Sequence, residues 1–272
     1  MNTMKSKAVA FPYMLWMVIF IVIPIGLVFA FAFTTKNGQF TIDNITSMTE
    51  YLPVLFRSIW LAFISTIICL VMGFPISYII SRTMPNKQGT MLTLLLLPMW
   101  INFLLRTYAW MTLLESNGLI NKFLGLFGIG PFNNMLNNQG AVVLGMVYNY
   151  LPFMILPLYS VMTKIDVSVI EAAQDLGASN FKVVWKVIVP LSMPGIFTGI
   201  TMVFVPSIST FIISRMLGGG NNDLIGDIIE QQFLGNSYNP HLGSAMALLL
   251  MVLVLLIMSL LNQFGNEENI TV

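Results

Sequence analysis

Long apolar runs, each bounded by charges or by a cluster of turn residues, follow one another along the whole chain. Between Lys7 and Lys36 lie 28 uncharged residues, between Arg57 and Arg82 24, between Lys87 and Arg106 18, and between Lys186 and Arg215 28. Two longer gaps, 41 residues from Lys122 to Lys164 and 36 from Glu230 to Glu267, begin with turn-forming sequence. The first holds Gly125, Gly128, Gly130, Pro131, Asn133, Asn134, Asn137 and Asn138, and the second Asn236, Asn239 and Pro240. A helix crossing the hydrocarbon core of a bilayer needs about 20 mostly apolar residues. The pattern therefore predicts six spans, at 11–33, 58–81, 91–114, 141–163, 187–214 and 242–264. Buried helices of a soluble protein would carry charged outer faces, and these segments have none.

Composition agrees with the pattern and narrows it. Charged residues are 8% of the chain against about 25% in soluble domains, while hydrophobic residues reach 57%. Twenty-three charges cannot cover the surface of a soluble fold of 272 residues, which excludes a water-soluble enzyme. A net charge of +1 offers no field for nucleic acid. The single cysteine, Cys69, reads as a small packed side chain, and the lone His241 as an interfacial residue without a second zinc ligand nearby. The first apolar run, Ala8 to Phe33, has 26 residues, well beyond the roughly 7–15 of a signal-peptide core, so it is kept as a span.

Lysine and arginine counts orient the spans. One side carries Lys5, Lys7, Arg82, Lys87, Lys164, Lys182 and Lys186; the other carries only Lys36, Arg57, Lys122 and Arg215. The positive-inside rule puts both termini in the cytoplasm. No loop exceeds 27 residues, too few for an independent soluble domain, so residues 1–272 are expected to form a single transmembrane domain. The chain has no Gly-x-x-x-x-Gly-Lys-Ser/Thr phosphate loop. If ATP drives this protein, another chain binds it.

The cytoplasmic loop 164–186 is the richest in signals. Ser168 with Glu171 three residues later forms a capping-box pattern, Ala172 and Ala173 favour helix, and Gly177 sits where a left-handed C-cap would end it. Ser179 can then cap a second helix that runs through Trp185 towards Pro190. A short surface helix, a sharp break and a helix feeding the fifth span make a suitable mechanical contact for a soluble partner. These features alone also fit an ordinary amphipathic connector, and the spans alone also fit an ion-driven secondary transporter or a membrane scaffold.

Glu171-Ala172-Ala173, three residues, Gly177, nine residues, then Val187-Ile188-Val189-Pro190 resembles the EAA loop of ABC-importer permease subunits. The family pattern ends Ile-x-Leu-Pro; valine stands here for both Ile and Leu. The resemblance implies an all-α type I ABC-importer permease fold in a bacterial inner membrane, with no catalytic site of its own. It implies that Ser168, Glu171, Ala172, Ala173, Asp175, Leu176, Gly177, Ala178 and Ser179 form the helix that couples to the ATPase. Implied partners are two ATPase subunits holding ATP and magnesium, a second homologous permease and an extracytoplasmic substrate-binding protein.

Three further stretches are similar to the permeases of polyamine (spermidine/putrescine) importers. They are Pro98-Met-Trp100-Ile-Asn102-Phe-Leu-Leu-Arg106-Thr-Tyr108-Ala-Trp110, Leu151-Pro152-Phe153-Met-Ile-Leu-Pro157-Leu-Tyr159-Ser160, and Met216-Leu217-Gly218-Gly219-Gly220-Asn-Asn-Asp223-Leu-Ile-Gly226-Asp227. Permeases for other organic cations, iron and some anions share parts of these patterns, so the resemblance is firmer on family than on solute. A polycation needs π-faces and carboxylates along its path. Trp100, Tyr108, Trp110, Tyr148 and Tyr150 could supply the faces, and Asp223, Asp227 and Glu230 the acids. Arg106, inside the third span, would repel a polyamine and is expected to be a gate or structural residue, reaching the outer interface or pairing with Glu115 or another outer acid.

Overall fold

A computed structural model describes residues 11–220, 222–235 and 237–267; Lys5, Lys7 and Asn236, used above, lie outside this range. Among the described residues the regular structure is helical apart from one isolated bridge, Thr34 to Phe40. Among the described residues four helices are long and apolar enough to cross a bilayer singly. Two of them, α1 (Phe11–Ala32) and α2 (Leu52–Arg82), precede a pair of bent segments. The other two are α5 (Gln139–Met162) and α11 (Pro240–Glu267). The count reaches six when each of two bent helix pairs is taken as one span.

The third and fifth predicted spans, 91–114 and 187–214, are bent helix pairs. The first comprises α3 (Pro85–Leu96), a 3-10 turn over Leu97–Trp100, and α4 (Phe103–Leu114), with a bend of 85°. Pro98 opens the tight turn, Ile101 is extended, and the Asn102 side chain accepts from the Leu104 amide at 2.8 Å to start α4. One helix is thus closed and another capped within five residues. The second pair is α7 (Asn180–Leu191) and α8 (Met193–Ser209), bent by 70° between Pro190 and Pro194. Beyond α8, Thr210 is extended and α9 (Ile212–Gly218) begins anew. The fifth hydrophobic run is therefore interrupted twice. Apolar content is the same in a straight and a broken helix, so hydropathy does not register the difference.

Backbone contacts group the chain into two compact units, one of residues up to Pro53 with Ile228–Val254, the other of Val54–Asp227 with residues from Leu255 onward. The smaller unit fastens the end of α1. The Asn44 amide donates to the carbonyls of Ala32 and Thr34, both at 3.1 Å, and the His241 ring meets the Phe31 carbonyl at 3.1 Å.

In the larger unit α5 is the central column, with Met146, Met154, Ile155, Leu158 and Met162 inaccessible to solvent. α8 lies closely along it. A Cβ at Gly199 would stand 2.6 Å from Met154 Sδ, and one at Gly195 3.0 Å from the Pro157 carbonyl. The Gly-x-x-x-Gly pair is thus the face on which the two backbones approach. Cys69 is buried in the same core, as its apolar reading requires.

Candidate coupling loop and substrate path

Within the 164–186 loop, α6 spans Val167–Asp175. Its N-cap is Asp166 rather than Ser168: Asp166 is extended, and its Oδ1 accepts from the Ser168 amide at 3.0 Å. The helix starts earlier than the capping-box pattern suggests because a carboxylate is the stronger acceptor and its charge complements the helix N-terminus. Hydrogen bonding from the Ser168 amide, and then from its hydroxyl, holds the Asp166 carboxyl below the ordinary carboxylate value.

The other end follows the glycine expectation. Gly177 has φ +84, its amide donates to Gln174 O at 2.8 Å, and the Ala178 amide donates to Ala173 O at 3.1 Å. This is a complete Schellman closure, in a backbone region that side-chain-bearing residues avoid. Ser179 then occupies the N-cap position of α7, its hydroxyl making no capping bond.

The faces of this turn differ sharply. Ile170 is buried, and Ala173 and Ala178 pack against the core. Ser168, Glu171, Ala172, Asp175, Leu176, Gly177 and Ser179 are exposed, Leu176 to 89%. Val169 and Phe181 are exposed nearby. The helix is anchored on one side and presents a mixed apolar and acidic face on the other.

The eight proposed path residues do not form one cluster. Trp110 and Tyr148 meet edge to face at 5.4 Å and help line an apolar cavity of about 450 Å³ with Ile68, Met72, Val147 and Leu151. Tyr150, the next residue but one along α5, is buried and points its hydroxyl at Pro206 O, 3.5 Å away on α8. Trp100 and Tyr108 are exposed, Trp100 to 79%, at the bend and on the outward side of α4.

Asp223 and Asp227 lie at the opposite end of the larger unit from α6. Arg57 donates to the Asp223 carbonyl. Ser58 Oγ accepts from the Ile225 amide at 2.8 Å and donates to Val54 O at 2.9 Å. Asp227 Oδ2 accepts from the Leu224 amide at 2.8 Å, so α10 (Ile225–Leu234) is capped by Asp227 from its own chain and by Ser58 from α2. Asp227 is inaccessible to solvent. Its Oδ1 makes no hydrogen bond and lies 3.9 Å from Arg215 Nε. Burial, with help from nearby Asp223, pushes its carboxyl up to about 6, against the opposing pull of Ser214, the Leu224 amide and Arg215. Glu230 is half-buried one turn further along α10.

Arg106 is buried near the start of α4, its guanidinium 5.9 Å from the Phe103 ring centre. Its Nε has no hydrogen-bond partner, and among the described residues no carboxylate pairs with it, Glu115 included. Of the structural roles expected for it, pairing with an outer acid is not seen among the described residues.

Residues 3–265 match the family model described as binding-protein-dependent transport system inner membrane component. The chain belongs to this family. It is 39% identical over 252 residues to the spermidine/putrescine transport system permease protein PotB of Haemophilus influenzae, covering 89% of this chain and 87% of that one. Its identity to PotB of Escherichia coli is 37% over 229 residues, covering 80% and 83%. Among solved structures, a bacterial ABC transporter that imports the acidic polysaccharide alginate superposes with a TM-score of 0.80 at 17% identity, covering 96% of this chain and 94% of that one. The methionine ABC transporter MetNI, in an inward-facing conformation, gives a TM-score of 0.58 at 18% identity, covering 82% and 98%. The fold is that of an ABC-importer permease.

As a member of this inner-membrane family the protein is a multi-pass transport subunit and not an enzyme. ATPase and substrate-binding partners go with such a permease. Several of its fixing contacts escape a linear reading. In the sequence Arg57 and Arg82 mark span boundaries and enter the orientation count, whereas in the fold Arg57 holds the Asp223 turn and Arg82 donates to Ile165 O and Met162 O. A basic residue in the last turn of a helix is a visible signal; the carbonyls it reaches, some 80 residues away, are not.

Proposed function

We propose that this chain forms half of the translocation path of an ATP-driven importer of polyamines such as spermidine and putrescine, and that α6 docks in a separate ATPase subunit. Two such ATPases, carrying ATP and magnesium, would clamp the coupling helices of this chain and of a second, homologous permease. An extracytoplasmic binding protein would deliver the solute at the Asp223–Asp227 end. The lysine and arginine bias supports placing α6 and both termini in the cytoplasm.

The observation that carries the coupling assignment is the construction of α6. It is capped at Asp166, closed at Gly177, anchored by Ile170 and Ala173, and exposed along its remaining face. A helix held at both ends can pass a partner's displacement to α7 and α5 without bending. Similarity to PotB over most of both chains supports the polyamine. The outer loops, with six acidic and four basic residues, have the sign to receive a cation.

The test is reconstitution in proteoliposomes with the cognate ATPase, second permease and binding protein. ATPase stimulation and uptake are measured for polyamines, amino acids and anions. Polyamine-dependent stimulation that Gly177→Pro separates from uptake is the expected result. Stimulation by another solute class would reject the polyamine, and uptake that follows an ion gradient without ATP would reject the importer.

A further inference from the structure

The loop that carries α6 is tied to more than its own two neighbours in the chain. Arg82, the last residue of α2, donates from Nη1 to Ile165 O at 3.0 Å and from Nη2 to Met162 O at 3.3 Å. Met162 ends α5, and Ile165 immediately precedes the Asp166 cap of α6. The guanidinium therefore pairs the Ile165 carbonyl and adds a donor to the Met162 carbonyl, which also accepts from the Ile165 amide at 3.3 Å, at the hinge from which α6 departs. Its Cζ lies 5.8 Å from the centre of the Tyr78 ring one turn back on α2, and its buried Nε has no acceptor. Arg82 is fixed by its own helix and by the hinge.

A second tie runs beside it. Gln88 on α3 donates to Ser81 O at 3.3 Å and Thr83 O at 2.8 Å, while its Oε1 accepts from the Tyr159 hydroxyl at 2.9 Å. Tyr159 sits in the last turn of α5. Two side chains, both reaching across from the α2–α3 connection, thus hold the end of α5 that bears the hinge. On the covalent path alone, displacement of α6 reaches only α5 and α7.

We propose that Arg82, supported by the Gln88–Tyr159 bond, is a positioning residue for coupling, which links the α5–α6 hinge to α2 and α3 so that these helices move with α6. The link rests on the coupling reading above. It explains why a long cationic side chain at this span end is spent on main-chain carbonyls instead of reaching into water, and why the adjacent connection carries a glutamine that bridges two helices. A lysine could keep the charge but cannot span both carbonyls with the fixed fork of a guanidinium.

The experiment compares wild type, Arg82→Lys and Tyr159→Phe in the fully assembled importer. It measures solute imported per ATP hydrolysed, the yield of assembled complex and its apparent melting temperature. Tyr159→Phe removes a single hydroxyl, so it reports on the link even if Arg82→Lys assembles poorly. The expected result is that both variants hydrolyse ATP in response to loaded binding protein, while solute imported per ATP falls about threefold to tenfold in Arg82→Lys and less in Tyr159→Phe. An unchanged ratio in Tyr159→Phe together with an unchanged ratio in assembled Arg82→Lys would overturn the proposal. So would activity lost only in proportion to assembled complex, the behaviour of a static helix cap. If Arg82→Lys does not assemble, an unchanged ratio in Tyr159→Phe overturns it alone. Gly177→Pro is the control for the coupling reading itself. If that variant stays coupled, the docking assignment fails; if it uncouples while the link variants do not, only the present inference fails.

Discussion

Replacing Asp227 by asparagine should stabilise the protein at pH 8 and do so about one third as much at pH 4.5. The side chain is inaccessible to solvent, and its carboxyl is pushed up to about 6 from an ordinary 3.8. A carboxyl raised in the folded state favours folding through its protonated form. That contribution is fully present below the unfolded value near 3.8 and is lost as pH rises through the folded value near 6. The interval corresponds to ~3 kcal/mol, an upper figure for the cost of holding this charge where Oδ1 lacks a hydrogen bond. Asparagine keeps the oxygen that accepts from the Leu224 amide but carries no charge. At ~2–4 °C per kcal/mol the gain at pH 8 amounts to several degrees in apparent melting temperature. Alanine, by contrast, leaves the Leu224 amide unpaired inside the protein, at about 1–3 kcal/mol, and should melt below asparagine at both pH values.

The assay is thermal unfolding of the assembled complex in detergent, followed at one heating rate because such unfolding is irreversible. The quantity compared is the difference between variant and wild type at each pH, which cancels other titrating groups. A difference that grows between pH 4.5 and 7 and then levels is the expected curve. An asparagine variant no more stable than wild type at pH 8, or a difference flat in pH, would refute the argument and return Asp227 to service as a paired, permanently charged group.

Three other outcomes follow from the same geometry. Gly177→Ala must place a Cβ at φ +84, costing ~1–2 kcal/mol locally, and should cut uptake per ATP hydrolysed more than Gly177→Asn, since asparagine tolerates that region; equal effects would dissociate coupling from the left-handed turn. Gly199→Leu drives a side chain into Met154, 2.6 Å from the first added carbon, and should abolish the assembled complex as judged by gel filtration, with wild-type assembly refuting the α5–α8 packing. Arg106→Ala should lower complex yield or uptake, and Arg106→Met, which restores the stem, should recover the yield; normal yield and uptake in both would remove Arg106 from the gate and from the fold's supports.

How far these sites were legible in the sequence depends on the range of the forces that make them. The Gly177 turn was legible because a Schellman closure uses only residues 173–178. The helix starts two residues before the capping-box position because Asp166 and Ser168 both offer caps, and the carboxylate of Asp166 is the stronger acceptor. The breaks in the third and fifth runs were written in Pro98, Asn102, Pro190 and Pro194, yet apolar residues on either side made a continuous span look sufficient.

Asp227 is the acid whose surroundings the sequence shows least: it is inaccessible to solvent, and the turn that carries it is closed by Ser58, 167 positions from the Ile225 amide that donates to it. Burial is a property of such distant partners and leaves no local mark. The same logic separates the two ends of the larger unit. At the α6 end local caps build the element and long-range bonds from Arg82 only position it, so a linear reading finds the helix and misses its tether. At the Asp227 end the local and distant caps are interleaved, and there a linear reading finds the residues but not the burial of Asp227. A charge in a membrane protein can therefore be placed along the chain from the sequence, but whether it faces solvent, solute or a neighbouring helix is decided by contacts that only the fold supplies.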